Sequence, residues 1–201
     1  MTTPWPSPVT LEGSFVCLEP LGAQHEATLK VAAADGDLSQ LWYTAVPKPE
    51  DIAQEITRRL GLQTAGSMLP FAVVKDGKAV GMTTYMNIDA STKRVEIGST
   101  WYAKYVQRTP LNTECKLMLL AHAFETLHCV AVEFRTHFMN FQSREAIIKL
   151  GAKQDGILRH HTRTSNGELR DTVVFSIIAA EWPTVKAHLQ FRLARLLKNA
   201  A

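Results

Sequence analysis

The sequence predicts an α/β (α+β) fold with a mixed, mostly antiparallel central sheet of about seven strands and helices on both faces. The first observation is the order of periodic segments along the 201 residues, which is β, α, α, β-hairpin, β, α, β, α, β, β, α. The second is a strand–loop–helix–strand passage in the middle of the chain, which requires at least one parallel crossover. The hairpins on either side of it predict antiparallel neighbours.

The first third of the chain is predicted to hold a short strand region and two helices. Proline and acidic residues at Pro49-Glu50-Asp51 suit a first helical turn, and Asp35-Gly36 ends the preceding helix. The expected elements are an irregular lead-in over 1–8, one or two strands over 9–20 joined at Gly13, and helices over 25–37 and 49–62.

The middle of the chain contains the clearest local signals. Asp76-Gly77 is the strongest hairpin turn signal in the sequence and predicts paired strands over 69–75 and 78–88. From Arg94, apolar and β-branched residues alternate with polar ones as in a strand, and from Leu111 the apolar period becomes helical. A polar loop over 107–113 joins the two.

The last third continues the alternation of strands and helices. The segment 129–136 is almost continuously apolar, which indicates a strand buried on both faces. The remaining predictions are a helix over 142–150 closed by Gly151, strands over 152–161 and 168–178 around the loop 165–167, and an extra C-terminal helix over 181–201. An apolar stripe on that last helix fits core packing, with a homodimer contact as the alternative; it comprises Val185, Leu189, Leu193 and Leu196.

Composition narrows the class of protein to an ordinary globular chain. Hydrophobic residues make up 46% and charged residues 20%, and the net charge of +3 is too small to indicate a nucleic-acid partner. No apolar run approaches the ~18 residues of a membrane helix, and the N-terminus lacks signal-peptide features. The cysteines and histidines show no metal-ligand spacing. We therefore expect one soluble cytoplasmic domain over 1–201, with no metal and no membrane.

The loop over 107–113 is a candidate anion site. The free backbone N–H groups and positive dipole end at the start of the following helix suit a phosphate. Arg108 adds a cation beside them. An ordinary strand–loop–helix connection is the alternative.

Three motifs, taken in order, resemble the GCN5-related N-acetyltransferase (GNAT) superfamily and its RimJ/RimL-type branch of ribosomal-protein N-terminal acetyltransferases. They are V-E-I-G-S-T-W-Y from Val95, Q-R-T-P-L-N-T-E-C-K from Gln107, and R-T-H-F-M-N-F-Q-S-R-E-A-I-I-K-L-G-A from Arg135. The resemblance spans about 9–182 and implies that acetyl-CoA is the co-substrate. The residues that it implies in binding are Thr100, Trp101, Tyr102, Gln107, Arg108, Thr109, Leu111, Asn112, Thr113, Asn140 and Ser143.

The phosphate loop departs from the family pattern at one position that matters. Pro110 and Asn112 occupy the two small-residue positions of the Q/R-x-x-G-x-G/A pattern. Proline removes one N–H donor, although it is acceptable where a helix begins. One hydrogen bond fewer to a charged group, worth ~1.5–3 kcal/mol, would weaken CoA binding.

Two residues are the predicted catalytic groups. Glu96 lies on the strand that the resemblance places at the acceptor site, so it is the predicted base; a salt bridge to Arg94 or Lys93 is the alternative. Ser143 is the predicted proton donor to the leaving thiolate, with a helix-capping role equally open.

Four further residues have more than one possible role. Asn140 is expected to hold a pantetheine amide, to cap the helix, or to do both. His137 is a further candidate base beside the site. Trp42 and Tyr43 either shape the acceptor pocket or simply pack.

The reading that accounts for most of these features is an acetyl-CoA-dependent N-acetyltransferase that transfers acetyl directly to a primary amine. The amine is either a protein N-terminus or a small molecule. A non-catalytic acyl-CoA-binding or regulatory module with the same fold is the alternative that Pro110 favours. A scaffold without any CoA site is a third reading.

Overall fold

The structure is a computed structural model that describes residues 5–164 and 166–200, including the side chains of all of these except 199 and 200. Residues 1–4 of the predicted lead-in over 1–8, Ser165 of the predicted loop and Ala201 of the predicted C-terminal helix lie outside the described residues. The strands are β1 (Leu11–Glu12), β2 (Cys17–Pro20), β3 (Met68–Lys75), β4 (Lys78–Asp89), β5 (Arg94–Tyr102), β6 (Ala131–His137), β7 (Lys153–Arg163) and β8 (Leu169–Ile178). The α-helices are α1 (Glu26–Ala34), α2 (Ile52–Thr64), α3 (Leu111–Ala121), α4 (Phe141–Ile148) and α5 (Trp182–Ala200).

The described strands form one mixed sheet in the order β1-β2-β3-β4-β5-β6-β8-β7. Its neighbours are antiparallel except for the pair β5 and β6, which is parallel. Parallel pairing begins at Arg94↔Ala131 and stops at Glu96↔Glu133. Beyond that point the two strands separate, so the middle of the sheet contains a wedge whose β5 edge has no strand beside it.

Helices cover both faces of the sheet, as predicted. Arg59 of α2 donates to Thr84 of β4, whereas Lys116 of α3 donates to Thr83. Successive residues of a strand point to opposite faces, so α2 and α3 lie on opposite sides of β4. Glu96 is paired with Met86 and therefore shares the α2 face.

The local signals in the sequence correspond closely to the observed elements. Asp76 and Gly77 both have positive φ, 50° and 71°, as the tight turn between β3 and β4 requires. The sheet has eight strands rather than about seven, because the segment 9–20 folds back at Gly13 into two short strands. The helix after Leu111 is shorter than its apolar pattern, since a π-helical turn over His122–Thr126 ends it.

Helix α5 and the hairpin of β1 and β2 both pack against the core. Val185 and Leu189 of α5 are buried, so the predicted stripe packs on the protein itself at these positions. Buried Glu114 of α3 accepts the backbone N–H groups of Ser14, Phe15 and Val16 at 2.8, 2.8 and 2.9 Å. Among residues 5–164 and 166–200, no helix combines the length and apolar character needed to span a bilayer.

Candidate active site

The wedge between β5 and β6 opens into a cleft of about 880 Å³. Its walls come from the loop after α1, from β5 and the start of α3, and from the end of β6 with α4. The end of β7, the start of β8 and part of α5 complete the lining. The cleft therefore runs from the N-terminus of α3 to the charged face of the sheet around Glu96. This is the region in which the sequence predicts the site.

A bulge in β5 shapes the floor of the cleft. Thr84 pairs with Gly98 and Met82 pairs with Trp101, so two residues of β5 oppose one of β4. Ser99 has a φ of 47°, which a non-glycine residue adopts only when its surroundings hold it there. The holding group is Arg59, whose Nη2 donates to the Ser99 carbonyl at 3.1 Å.

Arg59 is itself firmly placed, because it is only 2% exposed and each part of its guanidinium has a partner. Nη1 donates to Thr84 Oγ1 at 2.7 Å, and Nε donates to Glu55 Oε1 at 2.6 Å. A buried arginine paired in this way fixes geometry that a loop alone could not hold. The bulge is thus held from the α2 side of the sheet.

The predicted phosphate loop leads directly into α3. Pro110 precedes the helix with φ −58° and ψ −21°, so its fixed φ is already helical and the proline starts the helix. Helix geometry leaves the N–H groups of Asn112 and Thr113 without an intrahelical acceptor. Arg108 is exposed beside them, with a φ of 62°. The end of the cleft at α3 therefore combines free donors, a dipole and a cation.

Side-chain hydrogen bonds hold this loop against β5. Gln107 Nε2 donates to the Tyr102 carbonyl at 2.9 Å, and the Tyr102 hydroxyl donates to Asn112 Oδ1 at 3.0 Å. Thr109 Oγ1 donates to the Val106 carbonyl at 2.6 Å. These bonds fix the loop in one arrangement before any ligand is bound.

Most of the predicted binding residues line the cleft. They are Thr100, Trp101, Tyr102, Gln107, Arg108, Thr109, Asn112, Thr113, Asn140 and Ser143. Leu111 does not line it: its side chain is fully buried in the core, because the first residue of α3 faces the sheet. The backbone N–H of Leu111 donates to Thr109 Oγ1 at 3.3 Å within the loop.

Glu96 lies in the cleft and is 5% exposed. Its Oε2 accepts from Asn87 Nδ2 at 2.7 Å and lies 3.5 Å from Arg135 Nε. Burial raises the pKa of Glu96 above its ordinary value, although the Asn87 hydrogen bond and the Arg135 charge oppose that effect. The raised pKa brings Glu96 closer to the working pH, where a general base is most effective.

Glu96 does form a salt bridge, but its partner is Arg135 and not the predicted Arg94 or Lys93. Arg94 pairs instead with Glu133, and Lys93 lies exposed in the turn before β5. Arg135 contacts both carboxylates, with Nη2 at 2.9 Å from Glu133 Oε2. Sequence reasoning missed Arg135 because its approach depends on the register of β5 and β6, which pairs Glu96 with Glu133 and places Arg135 two residues further along the same face of β6.

The start of α4 separates the roles of Asn140 and Ser143. Asn140 is the N-cap, and its Oδ1 accepts the backbone N–H of Ser143 at 3.0 Å. The capping interpretation is thus right for Asn140 and wrong for Ser143. Among residues 5–164 and 166–200, the Ser143 hydroxyl has no hydrogen-bond partner, and it faces the cleft.

His137 lies in the cleft but is poorly suited to act as a base. Its Nδ1 accepts the backbone N–H of Met139 at 3.0 Å, so the neutral ring carries its proton on Nε2 and presents a donor. Burial, followed by the charge of Arg170, lowers the pKa of His137. Trp42 packs edge-on against this ring at 5.1 Å, and Tyr43 lines the cleft.

Lys116 is a cleft residue that sequence reasoning missed. It is 6% exposed on α3, and its Nζ donates to Thr100 Oγ1 at 3.0 Å and to Thr83 Oγ1 at 3.4 Å. No carboxylate within the described part of the chain lies within ion-pair distance of it, and burial lowers its pKa to about 8. The signal in the sequence was a lone lysine in an otherwise apolar helical stretch.

Comparison with known proteins decides the family. A family model described as an acetyltransferase (GNAT) domain matches residues 16–153, which is more than half of the chain. The chain belongs to the GNAT acetyltransferases. The matched region includes the wedge and the start of α3, whereas the cleft residues on β8, among them Arg170 and Thr172, lie beyond its end at residue 153.

Individual relatives agree with this GNAT assignment. A Bacillus subtilis (strain 168) protein named "Putative ribosomal N-acetyltransferase YdaF" is 30% identical over 107 residues, which are 53% of this chain and 57% of that protein. The chain thus matches little more than half the length of that curated relative. A GCN5-related N-acetyltransferase from Brucella melitensis is 31% identical with a TM-score of 0.85, covering 94% of this chain and 86% of that one.

A third relative shares the fold at lower identity. Mycobacterium smegmatis RimJ in complex with CoA-disulfide has a TM-score of 0.77 at 23% identity, covering 97% of this chain and 98% of that one. The GNAT fold and acyltransferase class predicted from the three motifs are confirmed. The name of the Bacillus subtilis relative agrees with the predicted RimJ/RimL-type branch of ribosomal-protein acetyltransferases. Within the described residues, no three His, Cys, Asp or Glu side chains are grouped as metal ligands.

Proposed function

We propose that this protein is an acetyl-CoA-dependent N-acetyltransferase that works as one domain in the bacterial cytoplasm and transfers acetyl directly to a primary amine. The observation that carries the proposal is the continuity of the cleft, which joins the α3 N-terminus to Glu96 along the unpaired edge of β5. The amine is a protein N-terminus or a small molecule; the former is what the name of the Bacillus subtilis relative suggests.

The residues of the cleft fit a CoA thioester in three places. The N–H groups of Asn112 and Thr113, with Arg108, suit the diphosphate. The free edge of β5 at Thr100–Tyr102 offers backbone groups to the amides of a pantetheine arm. The Nε1 of buried Trp101 has no hydrogen-bond partner in the part of the chain that is described, so a carbonyl-bearing ligand would satisfy it.

The chemistry that we assign to the chain follows from positions along the cleft. Acetyl-CoA supplies an activated acyl group, so the carbon–sulfur bond breaks as the carbon–nitrogen bond forms. Glu96 accepts the proton that the amine must lose, and a placed base is typically worth ~10²–10⁴-fold in rate. The free hydroxyl of Ser143 donates a proton to the departing sulfur, and a backbone N–H near Trp101 stabilises the developing oxyanion.

A non-catalytic acyl-CoA-binding module is the second candidate, and Pro110 is the feature that favours it. The proline lacks the N–H that a glycine would offer to the diphosphate. The placement of Glu96 and Ser143 in the same cleft favours the enzyme, because a binding module needs neither group there.

Binding and turnover separate these candidates. Thermal shift with acetyl-CoA and CoA measures binding, and thiol release with a panel of amines measures turnover. We expect a thermal shift with both ligands, and thiol release that falls ~10²-fold or more in Glu96→Gln. Glu50→Gln, a change of the same charge at an exposed position outside the cleft, serves as the control.

Each contrary result has a distinct meaning. A shift without thiol release from any amine supports the binding module. The absence of any shift supports a scaffold without a CoA site. Full turnover in Glu96→Gln removes Glu96 from the mechanism while leaving the transferase assignment standing.

A further inference from the structure

Arg170 lies at the end of the cleft where the acceptor would enter. It stands two residues before Thr172 on β8, and Thr172 pairs with His137 at the end of β6. Residues two apart on a strand share a face, so Arg170, Thr172 and His137 lie on the same side of the sheet as Glu96. All four line the cleft.

The charges on this face are unequal. Glu133 is paired with both Arg94 and Arg135, and Glu96 lies against Arg135. Arg170 is the arginine of this face without a partner: among residues 5–164 and 166–200 its side chain has no ion pair and no hydrogen bond. Its Nε is buried without a partner.

Arg170 nevertheless lies near the proposed reaction centre. Its charge lowers the pKa of both Glu96 and His137, which places it within electrostatic reach of each. Burial lowers the pKa of Arg170 itself. A half-buried guanidinium is costly to leave unpaired, since its fixed donors match a carboxylate in geometry as well as in charge.

We propose that Arg170 binds a carboxylate on the acceptor, so that the enzyme acetylates amines that carry a carboxylate close to the amino group. This inference rests on the proposed function and narrows its acceptor. The amine would face Glu96 while the carboxylate pairs with Arg170. A free amino acid and a peptide N-terminus followed by an acidic side chain both present this chemistry.

An alternative role for Arg170 would act only through Glu96. Removing its positive charge would then raise the pKa of Glu96 and move the pH profile for every acceptor alike. Carboxylate binding predicts instead that the loss is confined to acceptors with a carboxylate. The two roles therefore differ in how the loss depends on the acceptor.

The test uses matched acceptor pairs with the full-length protein and acetyl-CoA. One arm contains amino acids with increasing distance between amine and carboxylate, each beside its amide. The other contains C-terminally amidated peptides with Asp or Glu near the N-terminus, each beside its Asn or Gln counterpart. Thiol release gives kcat/KM for each member in wild type, Arg170→Gln, Arg170→Lys and Arg159→Gln. Arg159 is the matched control, because it is exposed on β7 and paired with Asp171.

We expect at least one carboxylate-bearing acceptor to exceed its neutral partner by ~10-fold or more in kcat/KM. Arg170→Gln should abolish that preference chiefly through KM, Arg170→Lys should retain part of it, and Arg159→Gln should keep it. The arm that shows the preference identifies the source of the carboxylate.

Three results would overturn the inference. Equal turnover of neutral and charged partners in wild type would remove the carboxylate from recognition. A uniform loss across all acceptors in Arg170→Gln, with a shifted pH profile, would assign Arg170 to Glu96. Binding of acetyl-CoA without thiol release from any acceptor would overturn the proposed function itself, and the inference with it.

Discussion

Replacing Lys116 by methionine should stabilise the protein at neutral pH. The ammonium is buried, it is held by two hydroxyls, and it lacks an ion-pair partner among the described residues. Methionine has a similar length and helix propensity but no charge to desolvate. Thr83 and Thr100 remain hydrogen-bonded to each other at 2.8 Å, so the substitution leaves neither hydroxyl unpaired.

The size of the effect follows from the pKa of Lys116, which burial lowers from 10.5 to about 8. Each pKa unit corresponds to about 1.4 kcal/mol, so the charged form destabilises the fold by about 3 kcal/mol. At pH 7 the lysine is protonated in both the folded and the unfolded chain, and this cost is fully present. Between pH 8 and 10.5 only the unfolded chain holds the proton, so the stability of the wild type rises with pH.

Urea unfolding of wild type and Lys116→Met from pH 7 to pH 10.5 measures the difference directly, because groups common to both chains cancel. We expect Lys116→Met to be more stable by up to about 3 kcal/mol at pH 7, with an advantage that shrinks as the pH rises. Lys78→Met, at an exposed position, should change stability by less than ~0.5 kcal/mol. A less stable Lys116→Met, or a difference independent of pH, would show that the ammonium is not desolvated.

Three further predictions concern the site and its support. In a pH–kcat profile of the wild type, kcat should rise with pH at values above the ordinary pKa of a glutamate, because burial raises the pKa of Glu96. Glu96→Gln should no longer show this rise on the acidic side of the profile. Glu114→Gln should cost about 2 kcal/mol in urea unfolding, since at least one of the backbone N–H groups of Ser14, Phe15 and Val16 would lose its charged acceptor and face an amide donor. Asn140→Ala should cost about 1 kcal/mol through the lost N-cap, whereas Ser143→Ala should leave stability unchanged and lower kcat; the reverse pattern would refute both assignments.

Local chemistry explains why much of the fold could be predicted. The turn at Asp76-Gly77 and the start of α3 at Leu111 depend on residues close together in sequence. The strand beginning at Arg94 was predicted for the same reason. Its partner strand and helix α4 differ from prediction by only one or two residues at their starts.

The parts of the site that escaped prediction depend on contacts distant in sequence. The bulge at Ser99 follows from two residues opposing one of β4, and the alternation along β5 carries no sign of it. Arg59 reaches the bulge from a helix forty residues earlier. The approach of Arg135 and Arg170 to Glu96 requires the register of three strands, which no single segment encodes.

Arg59 connects two walls of the cleft, the loop over 38–46 and the bulge in β5 at Ser99. The loop over 38–46 lines the cleft and leads into α2 through a short turn at Pro49–Asp51. Helix α2 carries Arg59, whose guanidinium donates to the Ser99 carbonyl. A displacement of the loop over 38–46 would move α2 and so change the hydrogen bond from Arg59 to the Ser99 carbonyl in the bulge of β5. We therefore expect Arg59 to couple the binding of the amine acceptor to the binding of acetyl-CoA, so that each ligand changes the affinity for the other.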